Sequence, residues 1–190
     1  MAWWLSKSAT KFKAQVDKRW PDRDHASDGS IGDSSHAAVP SDHNPCYTCS
    51  GDSYEVVRAI DLDSNLNGAT LAPMQRLMND LIEYCRAGKD NGRVSYVIFD
   101  KKIASGTYKS AFWTWRTYSG SDPHQNHSHI SFTPKGDQRD GAFDLPIFGP
   151  SRAEIRDQRR KVTKALDAAR ERYRAVAVRI EAYRRKLKKL

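Results

Sequence analysis

Long apolar runs are missing from this chain. Close to its start, MAWWLSKSATKFK offers only AWWL, too short for the apolar segment of a secretory signal. No stretch approaches the roughly 20 apolar residues that cross a bilayer. The expectation is a protein made in a cytoplasm and released by another agent if it works elsewhere. Cysteine is scarce too: Cys46, Cys49 and Cys85 cannot all pair internally, which argues against a disulfide framework. Cys46 and Cys49 make one CxxC within PCYTCSGD, without the second pair that a zinc knuckle brings, so a solvated loop or a local disulfide is expected there rather than a structural metal.

Basic charge is spread unevenly along the chain. The net charge is +9, but 15 Lys and Arg face 5 Asp and Glu between Ser151 and Leu190, so the remainder is close to neutral. Arguments from basicity toward an anionic partner therefore apply to the tail. In a chain of 190 residues, 38% of them hydrophobic, there is enough for one compact core and an appendage. The mean hydropathy is −0.76, yet five Trp, eight Tyr and six Phe exclude a disordered polyelectrolyte.

The pattern predicts an amphipathic helix over Ser8 to Arg19, stopped at Trp20-Pro21. A turn-rich stretch follows, RDHASDGSIGDSSHAAVPSDHNP, of a length usual for functional or disordered segments. YEVVRAIDL reads as a strand. Thr70 to Ala87 reads as a helix with Leu71, Met74, Met78, Leu81, Ile82 and Cys85 on one side, ended by Gly88. RVSYVIFD, FWTWRTYSG and HSHISF read as three further strands. This is an α+β pattern, a small antiparallel sheet packed with helices.

Alternation in HSHISF puts His127, His129 and Ser131 on one face, so two imidazoles point the same way, either as a metal pair or as hydrogen-bonded histidines. In AIDLD, Asp61 and Asp63 share a face. A carboxylate in an apolar strand is costly unless paired or bound to metal; for Asp63, capping the turn DSNLNG is the expected role.

Ser41-Asp42-His43 (SxH), Ala59-Ile60-Asp61 (AxD) and His127-Ser128-His129 (HxH) resemble the motifs of the zinc peptidases of the D-alanyl-D-alanine carboxypeptidase and L-alanyl-D-glutamate peptidase group, which shares its architecture with lysostaphin and the hedgehog domain. The ordered run SDGSIGDSSH, SDHNP, VVRAIDLD, YVIFDKKI, WRTYSG and DPHQNHSHISF is similar to peptidase domains in endolysins of actinobacterial phages, and covers most of residues 10 to 133.

The resemblance implies zinc held by His43, Asp61 and His129, with His36 as an alternative ligand or a neighbour of the metal. The usual spacing SxHxxGxAxD is opened here by NPCYTCSGDSYEVVR. Such a ligand set suits zinc and leaves a fourth position for water as nucleophile. His127 is the implied general base. The position three before the last ligand, acidic in carboxypeptidase-type relatives, is Asn126 and cannot take a proton. His124 and Asp122 are reserves whose plainer reading is a DPH turn. Arg116 would hold a substrate carboxylate, or is an ordinary surface arginine. The implied activity is phage-type, zinc-dependent hydrolysis of peptidoglycan stem or cross-bridge peptides, in a protein made in the host cytoplasm and acting on the wall after release. Tyr47, Tyr54, Trp113, Trp115 and Tyr118 line a groove or, for the tryptophans above all, pack in the core. The alternatives are an inactive metal-binding module of the wall or the virion, and a nucleic-acid-binding protein working through the tail.

The tail, residues 150–190 after a peptidase domain of 1–149, begins with Ser151 and Glu154 as a capping box. Val162, Leu166, Ala169, Tyr173, Val176, Ile180, Tyr183, Leu187 and Leu190 then form a coiled-coil seam. A parallel homo-oligomer is disfavoured by Arg170, Arg172, Arg179, Arg184 and Lys186 beside that seam. An anionic membrane or wall polymer fits better, ahead of nucleic acid, since no base-stacking module accompanies the helix. Packing back on the body is the remaining option.

Overall fold

The computed structural model describes residues 3–32, 40–45, 55–68, 70–150 and 152–188, with the backbone alone at 152–154. The chain divides into two compact units, Met1–Phe148 and Gly149–Leu190. The first is α+β.

In the first unit, β1 (Trp3–Leu5) leads into helix α1 (Lys7–Arg19). Ser6 caps that helix, its hydroxyl accepting from the Ala9 N–H at 3.3 Å. The predicted strand YEVVRAIDL is in fact two. β2 (Glu55–Val57) pairs in parallel with β1, and β3 (Ala59–Asp63) belongs to another sheet. The break falls at Arg58, whose buried guanidinium makes a bidentate pair with Asp137. Its own N–H donates to the Asp42 carbonyl at 3.0 Å while its carbonyl accepts from Phe132 at 2.7 Å.

Helix α2 (Ala72–Arg86) starts two residues later than the pattern suggests and ends before Gly88, whose φ of +69° is the left-handed conformation that glycine tolerates at a helix C-terminus. Strands β4 (Val94–Phe99), β5 (Lys102–Ser105), β6 (Arg116–Thr117) and β7 (His127–Phe132) complete an antiparallel sheet in the order β3-β7-β4-β5-β6. β5 carries little strand signal in its sequence, being four residues long and preceded and opened by lysines. FWTWRTYSG yields only the two residues of β6.

The sheet has two different faces. On one, Ile60, Leu62, Val97, Phe99, Ala104, Ile130 and Phe132 join Ala9, Phe12 and Val16 of α1 and Met74, Leu77, Met78, Leu81, Ile82 and Cys85 of α2 in a single core. Trp113 is buried in it and Trp115 packs against it, its indole N–H donating to Asn79 Oδ1 at 2.8 Å, so packing is the role of both tryptophans. Cys85 is buried with its thiol free. The opposite face carries Asp61, His129, Ser131, Tyr96 and, in direct cross-strand register, Ile98, Ile103 and Arg116.

The turn after α1 is locked by charge. Arg23 has a side chain with no solvent exposure and bonds Asp17 at 2.7 Å and Asp28 at 2.7 and 2.5 Å. Burial works against ionisation of Asp28, but the hydrogen bonds from Arg23 and Lys13 outweigh it and hold its carboxyl far below the usual range. A carboxyl whose pKa is depressed on folding stabilises the fold above its unfolded pKa, near 4, and loses that contribution as the pH falls further. Asp28→Asn leaves Arg23 short of a buried partner and is expected to cost about 2–4 kcal/mol at pH 7. In urea melts the gap to the wild type should narrow below about pH 4; a gap independent of pH would contradict this account.

Candidate metal centre

Strand alternation and register bring the first two candidate ligands together. Asp61 in β3 stands directly opposite His129 in β7, and both project from the face away from the core. The third comes from the turn-rich segment: His43 is buried and its Nε2 lies 3.1 Å from Asp61 Oδ2 and 3.1 Å from His129 Nδ1. His129 Nδ1 is in turn 3.1 Å from Asp61 Oδ1. Zinc bonds of two ångströms in a tetrahedral site put ligand atoms about 3.3 Å apart, so this spacing suits a single small cation.

Hydrogen bonding fixes which nitrogen faces the centre. The Ser30 carbonyl, 2.8 Å from His43 Nδ1, can only accept, so Nδ1 carries the proton and Nε2 keeps its lone pair. A neutral His43 with its proton on Nδ1 turns the Nε2 lone pair toward an Asp61 oxygen 3.1 Å away. A cation satisfies all three, and the donor set fits zinc. His129 Nε2 is buried with no hydrogen-bond partner among the described residues.

The electrostatics follow from that proximity. Burial raises the pKa of Asp61, but hydrogen bonds and positive potential from His129 and His43 prevail and hold it well below the usual carboxylate range. Burial lowers the pKa of His43, yet Asp61 makes it more basic than an ordinary imidazole.

His127 and His124 complete a four-imidazole cluster. His127 Nε2 lies 3.9 Å from Asp61 Oδ1 and 3.8 Å from Asp122 Oδ2. Its Nδ1 donates to Asn126 Oδ1 at 2.7 Å, so Asn126 orients the ring. Burial keeps His127 less basic than usual, although Asp61 pulls the other way. His124 does form the expected DPH turn, its N–H donating to Asp122 Oδ1 at 2.8 Å. The same turn sets it at φ +50° with its ring 4.8 Å from His127. The sequence does not announce this, because a left-handed histidine looks like any turn residue.

Asp63 keeps to its structural role, with Oδ1 accepting from Asn65 N–H at 2.8 Å and Oδ2 from Ser27 N–H at 3.0 Å. Arg116 is on the same face as His129 but three strands away, roughly 14 Å at the usual strand spacing. Its guanidinium lies 4.1 Å over the Tyr108 ring and donates to Ser105 Oγ at 3.1 Å. Arg116 and the metal ligands therefore do not meet at one atom. His36, Tyr47, Tyr54 and the CxxC of Cys46 and Cys49 lie outside the described residues.

A groove of about 490 Å³ adjoins the cluster, lined by Ser41, Asp42, Asn44, Val56, Arg58 and Tyr96. Tyr96 joins the two, its ring stacked 5.3 Å from that of His129. Ser131 Oγ donates to Asp42 Oδ2, which fixes the carboxylate in the groove wall. Tyr118 stands edge-on to His124 at 5.4 Å.

Gly29 braces Asp61 from the far side, exchanging backbone hydrogen bonds with it at 3.1 and 2.8 Å. A Cβ on Gly29 would sit 3.2 Å from Asp61 Oδ2. Gly29→Ala should displace the carboxylate by a few tenths of an ångström and weaken any divalent-cation binding by the cluster about tenfold, as displaced ligand supports do; titration against a chromophoric chelator reads this, and unchanged affinity would remove Gly29 from the site.

No protein-family model, curated protein or solved structure matches this chain, so the site is read from its own geometry.

Proposed function

We propose that the chain is a zinc-dependent peptidase of bacterial peptidoglycan, of the phage endolysin type. The observation that carries the reading is the convergence of His43, Asp61 and His129 at 3.1 Å, with His43 Nδ1 tied to the Ser30 carbonyl. When bound there, zinc supplies Lewis acidity that polarises a carbonyl and acidifies water.

The protein's own groups supply the rest. His127, made less basic by burial and turned by Asn126, presents Nε2 on the Asp61 side of the cluster and acts as general base. The groove along Tyr96 and Asp42 receives an extended peptide beside the reacting bond. Arg116, across the sheet, serves a distant carboxylate of a long substrate or none.

The tail is read separately. Helix α3 (Arg152–Leu187) leaves Val162, Leu166, Tyr173, Val176, Ile180, Tyr183 and Leu187 exposed among its basic residues. No described helix is long and apolar enough to cross a membrane. An apolar stripe flanked by arginine and lysine suits an anionic membrane surface or an anionic wall polymer.

The test is release of new amino groups from purified actinobacterial peptidoglycan. The wild type should release them, chelator and His129→Ala should each abolish release, and added zinc should restore only the chelated wild type. Metal bound tightly without turnover would leave a binding module in place of an enzyme. Removing residues 151–190 should weaken sedimentation with anionic vesicles or with walls; equal sedimentation would deprive the helix of this role.

A further inference from the structure

A second group of ligands lies against the first. Asp122, His124 and His127 each offer a ligand atom, and the three atoms lie within 4.8 Å of one another. The two histidines are held in the manner of metal ligands. His124 Nδ1 lies 2.7 Å from the Asp122 carbonyl, which can only accept, so its Nε2 keeps the lone pair. His127 Nδ1 donates to Asn126 Oδ1 at 2.7 Å, with the same consequence.

Backbone geometry reinforces the arrangement. His124 occupies the left-handed region at φ +50°, and the strain of that conformation is held by three contacts. Its N–H bonds Asp122 Oδ1, its carbonyl accepts from Asp100 N–H at 2.9 Å, and the Pro123 carbonyl accepts from Lys101 N–H at 2.9 Å. The turn thus fixes the ring and one Asp122 oxygen, while the other, Oδ2, lies 3.8 Å from His127 Nε2 on a side chain 56% exposed.

We propose that Asp122, His124 and His127 form a second, weaker divalent-cation site that shares His127 with the peptidase site. The proposal rests on the peptidase reading for its consequence: a cation on His127 Nε2 occupies the lone pair that would take a proton, so zinc beyond one equivalent suppresses turnover. The site is weaker because Asp122 Oδ2 stands 3.8 Å from His127 Nε2, against 3.1 Å between ligand atoms at the first, and because a carboxylate 56% exposed must move onto the cation.

Equilibrium dialysis of the full chain against zinc over a range of concentrations separates the sites. The wild type should bind one tight and one weaker equivalent. Asp122→Asn keeps the turn acceptor and removes the charge, and His124→Asn suits a positive φ; each should weaken the second equivalent at least tenfold and keep the tight one. His43→Ala should lose the tight equivalent and keep the weaker. A single equivalent at every zinc concentration, or a second that both the Asp122 and His124 variants bind as the wild type does, overturns the proposal. Failure of the first site is a separate result, in which no tight equivalent appears or His43→Ala retains it.

Discussion

Asp61 is an ionised carboxylate in mid-strand, flanked by the fully buried Ile60 and Leu62. A charge in that setting is costly unless partners compensate it. Here the compensation comes from three directions. His129 faces it across the β3–β7 ladder, His43 reaches it from the turn-rich segment, and the Gly29 backbone runs alongside it. Each partner is itself anchored, His43 by Ser30 and the Gly29 turn by the Arg23–Asp28 pair. The segment that composition alone would leave as loop is thereby tied to the sheet. Its described part is a wall of the site because one carboxylate needs neighbours.

This dependence explains what could be read in advance. Period-two alternation puts His127 and His129 on one face of a strand, and the apolar neighbours of Asp61 mark it as a charge needing an explanation. Both follow from local pattern. The Met and Leu spacing of α2 is of the same kind, and six apolar side chains of that helix are buried. What local pattern does not contain is pairing between distant segments. The parallel ribbon of β1 with β2, the break at Arg58 forced by its bond to Asp137, and the carbonyl of Ser30 that sets the His43 tautomer all depend on contacts remote in sequence. β5 and the left-handed His124 were obscured differently, by charged or turn-like residues whose roles emerge only once the sheet edge is in place.

The two units solve opposite problems. The first buries its apolar residues on one face of the sheet and keeps polar chemistry on the other. The second is a helix of 36 residues, about 54 Å long, whose apolar side chains are exposed. In proteins a helix draws most of its stability from packing an amphipathic face. Intrahelical pairs such as Asp157 with Lys161 and Glu181 with Arg184 add only tenths of a kcal/mol each.

The register row Asp61, His129, Ile98, Ile103, Arg116 crosses all five strands of the sheet. Its polar groups stand at the two ends and its middle is aliphatic. The roughly 14 Å from His129 to Arg116 equals about four residues of extended chain. That spacing is the backbone's; the Arg116 side chain shortens it by leaning back to Ser105 of β5, so the cation at one end of the row is drawn toward the acid and imidazoles at the other.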